Sequence, residues 1–150
     1  MTTIVRRRDP AATERILRAL PSWFGIEQAI QDYVKDSSVK PSYLAMRDSE
    51  AIGVALVERH FPESAELYLI AVHPDARGSG VGSELLTAIE NDLRSDGVVL
   101  FQVKTIGESF DDEGYAATRA FYRSRGFVPM EEICNISWDG PTLILAKALK

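Results

Sequence analysis

Six consecutive residues, Arg77-Gly78-Ser79-Gly80-Val81-Gly82, have the composition of an anion cradle. An apolar strand pattern precedes them and an amphipathic helix pattern follows. The first N–H groups of a helix lack internal partners, and the helix dipole adds partial positive charge there. Glycines bring the backbone close to a phosphate and accept positive φ. Arg77 adds a charge-assisted hydrogen bond. A P-loop would end in Gly-Lys-Ser/Thr, whereas this turn ends Gly82-Ser83-Glu84. A dinucleotide fingerprint would carry a third glycine at position 83, where serine stands. A plain tight turn between strand and helix is the remaining reading.

Other reactive side chains are few. The single cysteine, Cys134, excludes an intramolecular disulfide and a cysteine-based metal cluster. Two histidines, His60 and His73, are too few for a convincing zinc site, so no metal is expected. His73 precedes Pro74 and reads as a turn residue. The net charge of −5 argues against a general nucleic-acid binder and leans toward a cationic partner. The one basic run, Arg6-Arg7-Arg8, reads as a solvated strand end. With 45% hydrophobic and 26% charged residues, the composition is that of a globular domain rather than a disordered chain. No apolar run reaches the ~18–20 residues of a membrane span, and no secretory leader is evident. A single domain over residues 1–150, in a reducing cytoplasmic compartment, is expected.

The elements that must position these groups follow from periodicity. A strand is expected over residues 2–8, and Asp9-Pro10 reads as N-cap plus first helical position. Ile16, Leu17 and Leu20 give that helix its apolar face, and Pro21 ends it. Ile26, Ala29, Ile30, Tyr33 and Val34 form one stripe of a second helix. Residues 42–47, 51–59 and 65–72 read as three strands joined by tight turns, the last apolar enough for a central place. A helix follows the glycines to Asp96-Gly97. Residues 98–105 read as a strand, 107–114 as a polar mobile loop, and 115–125 as a final helix closed by Gly126. Strands at 127–133 and 142–146 complete a mixed α/β sheet flanked by helices.

With those elements in place, Arg77-Gly78-Ser79-Gly80-Val81-Gly82 resembles the Arg/Gln-x-x-Gly-x-Gly/Ala signature of the GCN5-related N-acetyltransferases (GNAT superfamily). Leu69 to Pro74 looks like that family's fourth strand, and Phe121-Tyr122-Arg123-Ser124-Arg125-Gly126-Phe127 like its closing Tyr-x-x-x-Gly-Phe element. The resemblance covers nearly the whole chain. It implies a mostly antiparallel sheet of six or seven strands, with strands four and five splayed and about four helices around it. It implies acetyl-CoA as acyl donor, with the pantetheine arm laid along Ile70, Ala71 and Val72 like an added strand. The amides of Gly78, Ser79, Gly80, Val81, Gly82 and Ser83, with Arg77, would hold the pyrophosphate. Tyr115, Thr118, Phe121 and Tyr122, at helical spacing, would meet the arm and its thiol end. Many relatives carry asparagine seven residues before the tyrosine; here that position is Tyr115.

The same resemblance distributes the chemistry. A backbone N–H near Ile70 would polarise the thioester. Tyr122 would protonate the leaving thiolate, against the alternative that it is only a packed core aromatic. Glu66, eleven residues before Arg77, matches the base carboxylate of the histone-type members; on an otherwise apolar strand its pKa would be raised. A solvent-facing glutamate is the alternative, and Glu58 and His60 are further base candidates. Arg119 reads as a solvated helix residue before a phosphate ligand. Cys134 reads as a buried structural thiol, so direct transfer is expected instead of an acetyl-enzyme. Trp23, Phe24 and Trp138 are candidates for lining the acceptor site. The expected acceptor is a primary amine of a small molecule or peptide, with no nucleic acid or membrane partner. A homodimer is one option. A non-catalytic acyl-CoA-binding module is the alternative function.

Overall fold

The computed structural model describes residues 1–20, 26–110, 112–136 and 138–150. Pro21, Trp23 and Phe24 therefore lie outside the described residues, and so do the helix stop and the acceptor-site roles assigned to them. Strand order in the sheet is β1-β2-β3-β4-β5-β7-β6. The strands are β1 (Thr3–Arg6), β2 (Ser42–Arg47), β3 (Glu50–Phe61), β4 (Ser64–Val72), β5 (Leu100–Ile106), β6 (Val128–Cys134) and β7 (Pro141–Ala148). The helices are α1 (Pro10–Arg18), α2 (Glu27–Ser37), α3 (Val81–Ser95) and α4 (Glu113–Ser124), with a short 3-10 turn at Pro74–Ala76. No helix is long and apolar enough to cross a membrane among the described residues. The chain packs as two compact units.

The first unit holds residues 1–58 and 68–92. Asp9 caps α1 by accepting from Ala12 N at 3.0 Å, with Pro10 at the first position. β1, β2 and β3 pair antiparallel, with a register shift between Ala45 and Met46. The α1 and α2 stripes bury Ile16, Leu17, Leu20 and Ile30 against Leu44, Val54, Leu56, Leu69 and Ala71. Arg18 spans to Glu27 with two hydrogen bonds of 2.8 Å, and this pairing pulls the Glu27 pKa down to about 2. The basic run is exposed at the end of β1, as expected, and still makes contacts. The Arg8 guanidinium donates to the carbonyls of Val39 and Lys40 just beyond α2, and Arg6 lies over the Tyr43 ring. Those carbonyls lie past the last helical residue, Ser37, so the contact ties the chain after β1 to the α2–β2 connection.

Gly53 decides how closely α3 approaches the sheet. A Cβ there would lie 2.9 Å from Val81 Cγ1 and 3.2 Å from Leu85 Cδ1. Val81 is the first residue of α3, so the glycine sets the seat of the helix that follows the Gly-rich turn. Gly53→Val is expected to destabilise the protein by about 1–3 kcal/mol through overpacking. Urea unfolding checks this, and an unchanged midpoint would show that α3 gives way without cost.

The second unit holds residues 59–67 and 93–150. Here β4 pairs parallel with β5, from Ser64↔Leu100 to Leu67↔Val103. That register takes in the first four of β4's nine residues. β7 lies antiparallel to both β5 and β6. Phe101, Phe127 and Leu145 are fully buried. The segment 107–114 is shorter as a loop than expected, because Asp112 accepts from the N–H groups of Gly114 and Tyr115 and starts α4 at Glu113. Cys134, expected to be buried, is exposed at the end of β6. This edge strand packs only one face, and the burial expected for a free thiol does not reach it.

Candidate active site

In the first unit, Tyr68 to Val72 of β4 alternate between half-buried and buried, with Leu69 and Ala71 inward. Alternation is the strand period, so Ile70 and Val72 share the other face. His73 N donates to Ile52 O at 2.7 Å, and its ring Nδ1 accepts from Asp75 N at 3.2 Å. His73 is thus the turn residue its position suggested. Gly78 and Gly80 then take φ values of +75° and +83°, the left-handed region where only glycine is unstrained. A Cβ at either position would meet nothing within 4 Å, so open space surrounds the turn. Residues 77–80 are exposed. The first helical hydrogen bond runs from Glu84 N to Gly80 O at 3.0 Å, which leaves the N–H groups of Val81, Gly82 and Ser83 without helical partners. The exposed turn at 77–80, its positive-φ glycines and the open space around them fit a diphosphate.

Arg47 belongs to this surface and was not singled out by any motif. Its guanidinium donates to Thr2 Oγ1 at 3.1 Å and to Ser79 Oγ at 3.4 Å. Sequence separation hides it: the β2–β3 hairpin brings position 47 beside position 79. A second polar group, Tyr68 with Asp36, Lys40 and Glu58, is equally non-local. Tyr68 Oη donates to Asp36 at 2.7 Å, Lys40 Nζ lies 4.7 Å from the Tyr68 ring centroid, and the same ammonium is 3.2 Å from Glu58. Burial and the Asp36 carboxylate push the Tyr68 pKa well up, so it stays a donor. Glu58 is therefore engaged by Lys40.

In the second unit, Tyr122 is buried, with its ring 5.7 Å from Phe121 and 5.8 Å from Phe127. Phe127 in turn packs on Phe101 at 5.6 Å. The tyrosine is thus held rigidly by aromatic neighbours. Thr118 Oγ1 bonds back to Gly114 O at 3.1 Å. Tyr115 is half-buried; desolvation first and Asp112 second raise its pKa, which keeps its hydroxyl protonated. Phe110 stacks edge-on with Tyr115 and Trp138, at 6.4 and 5.4 Å. This aromatic group joins Trp138 to the helix start; Phe110 in a polar segment carried no periodicity that could reveal it.

Two expectations are corrected here. Arg119 is not a solvated helix residue: it is 8% exposed and donates to Ile106 O at 2.8 Å. It ties α4 to the last residue of β5, and the partner is a backbone carbonyl that no side-chain pattern announces. Glu66 stands among buried apolar residues of β4 as expected, but neighbouring strands supply it with polar partners, His60 from β3 and Lys104 from β5. Glu66 Oε1 lies 2.7 Å from His60 Nε2 and 3.5 Å from Lys104 Nζ, and its side chain is only 8% exposed. A buried carboxylate requires such partners. The solvent-facing reading of Glu66 falls with the same observation.

Comparison with known proteins places this geometry. The family model described as "Acetyltransferase (GNAT) domain" matches residues 40–129. A mycothiol acetyltransferase from Nocardiopsis dassonvillei is 33% identical over 104 residues, which is 66% of this chain but 30% of that protein. The chain thus spans less than a third of that relative's length. A solved GNAT-family structure from Desulfovibrio desulfuricans superposes over 100% of both chains, with a TM-score of 0.88 at 21% identity. A GNAT family acetyltransferase from Elizabethkingia anophelis, solved with acetyl-CoA bound, covers 99% of this chain and 98% of its own, with a TM-score of 0.75 at 19% identity. A Gly-rich turn at the mouth of α3, a parallel β4–β5 pair and a family match across 40–129 converge on one conclusion: the chain belongs to the GNAT acetyltransferases, a family of acyltransferases.

Proposed function

We propose that residues 1–150 work as one cytoplasmic N-acetyltransferase domain that moves the acetyl group of acetyl-CoA directly to a primary amine of a small molecule or peptide. The observation that carries the reading is the exposed turn at 77–80, with two positive-φ glycines in open space ahead of an amphipathic helix. Its amides and Arg77 hold the diphosphate. The backbone of Ile70, Ala71 and Val72 lines up the pantetheine arm, and the hydroxyl of Tyr115 takes the place of the asparagine that many relatives use. Thr118 and Phe121 complete the helix face.

The reaction requires a neutral amine, a polarised carbonyl and a protonated leaving group. A backbone N–H near Ile70 stabilises the oxyanion. Tyr122 donates its proton to the thiolate, and the polar cluster around Glu66, in which His60 and Glu58 are the further base candidates, takes the amine proton. The acidic chain, at net charge −5, favours a cationic acceptor. Amine-dependent CoA release against a panel of polyamines, amino acids, aminoglycosides and peptide N-termini tests the reading. Calorimetry with acetyl-CoA runs beside it: binding without turnover of any amine favours the acyl-CoA-binding module, and no binding at millimolar ligand ends both.

Direct transfer makes a second expectation. Cys134→Ala should keep turnover within about twofold, because an exposed thiol on an edge strand takes no part. Ping-pong kinetics abolished by this substitution would show an acetyl-enzyme instead.

A further inference from the structure

Glu66 is the member of its cluster least able to touch a substrate. Its side chain is 8% exposed, and one oxygen already accepts from two donors, His60 Nε2 at 2.7 Å and Lys104 Nζ at 3.5 Å. His60 has the opposite character. Its side chain is 35% exposed, it sits at the end of β3, and only Nε2 is committed. Nδ1 carries no hydrogen bond among the described residues. When the Nε2–H is donated to a carboxylate, the imidazole is fixed in the tautomer whose Nδ1 presents a lone pair. A buried carboxylate, an imidazole and an accessible ring nitrogen form an acceptor of protons, with the carboxylate stabilising the imidazolium that results.

We propose that His60 is the catalytic base of the acetyl transfer and that Glu66 is its positioning residue. The inference rests on the acetyltransferase reading above and assigns within it the group that meets the amine. The amine nitrogen forms the C–N bond to the acetyl carbon, and its N–H proton passes to His60 Nδ1. The C–S bond breaks, and the thiolate takes the proton of Tyr122. The imidazolium and the tyrosinate then exchange protons with solvent, so acetyl-CoA and amine become acetamide and CoA. Lys104, on β5, holds the other side of the Glu66 oxygen and keeps the carboxylate from swinging away.

The test is a double-mutant cycle with ligand binding measured in parallel. His60→Gln should lower kcat by about 100-fold, the ordinary reach of a general base, with the Kd of acetyl-CoA within twofold of wild type. Glu66→Gln should lower kcat by at least tenfold. The double variant should be no slower than His60→Gln within threefold, because two residues acting as one unit do not add. Added imidazole should restore part of the rate of His60→Ala, which no structural role would allow. The chain holds two histidines, so the ring 15N spectrum assigns them with one His73→Gln variant. The wild-type spectrum should show the Nε2–H tautomer at His60, and Glu66→Gln should change it. Turnover of His60→Gln within threefold of wild type, with Glu66→Gln inactive, overturns the inference and leaves Glu66 as the direct base. Wild-type protein that binds no acetyl-CoA overturns the acetyltransferase reading itself.

Discussion

Tyr122→Phe is expected to lower kcat by about 100-fold while acetyl-CoA affinity stays within twofold. The substitution removes one oxygen and keeps the ring, which is clamped by Phe121 and Phe127 at 5.7 and 5.8 Å. Packing and helix position are therefore conserved. What is lost is the proton that a leaving thiolate needs, and a positioned acid contributes roughly 10²–10⁴-fold. Tyr122 is 5% exposed, so the substitution is made within packed surroundings. Steady-state kinetics with calorimetry of acetyl-CoA binding separate the two effects. A kcat within threefold of wild type would leave Tyr122 as a core aromatic, the other role its motif permits.

The second large effect concerns the turn. Gly80→Val is expected to raise the Kd of acetyl-CoA more than tenfold with little change in Tm. Gly80 has φ +83°, and a branched side chain there costs on the order of 1–2 kcal/mol or more. No atom lies within 4 Å of the added Cβ, so the penalty is one of backbone conformation and not of clash. The exposed loop relieves it by turning to negative φ. That movement withdraws the amides ahead of Val81 from a common focus, and a loss of 1.4 kcal/mol is already tenfold in affinity. Contrast Gly53, where a side chain meets Val81 and Leu85 and the damage appears in stability. Unchanged affinity in Gly80→Val would mean that the turn's amides do not hold the diphosphate, and a large fall in Tm with normal affinity would say the same.

On the proposed reading the variants report separately: Gly80 on cofactor binding, Tyr122 on the leaving group, and His60 with Glu66 on the attacking amine. Each has its own signature in Kd, kcat or the imidazole spectrum. Arg119 adds a support that none of these replaces, because its guanidinium fastens α4 to Ile106 at the end of β5.

The amino-acid sequence by itself determined the order of elements, the turn at 77–82 and the two motifs that identify the family. These are local properties. Strand alternation, helix stripes, the Asp9-Pro10 start and the glycines of the turn act over a few residues, and the elements formed where their patterns lie. α4 began two residues early because the Asp112 carboxylate captured two N–H groups, a cap that a polar stretch disguised. Only the tertiary structure decided what each charged side chain meets. It gave Glu66 to His60 and Lys104, Arg119 to a backbone carbonyl, Arg8 to the carbonyls beyond α2, and Arg47 to Ser79. The physical reason is strongest for the buried Glu66 and Arg119, weaker for the half-buried Arg47, and for the exposed Arg8 the partners are set by reach alone. A buried or half-buried charge must find a partner, the partner is supplied by strand register and helix seating, and neither leaves a trace in the spacing of residues along the chain.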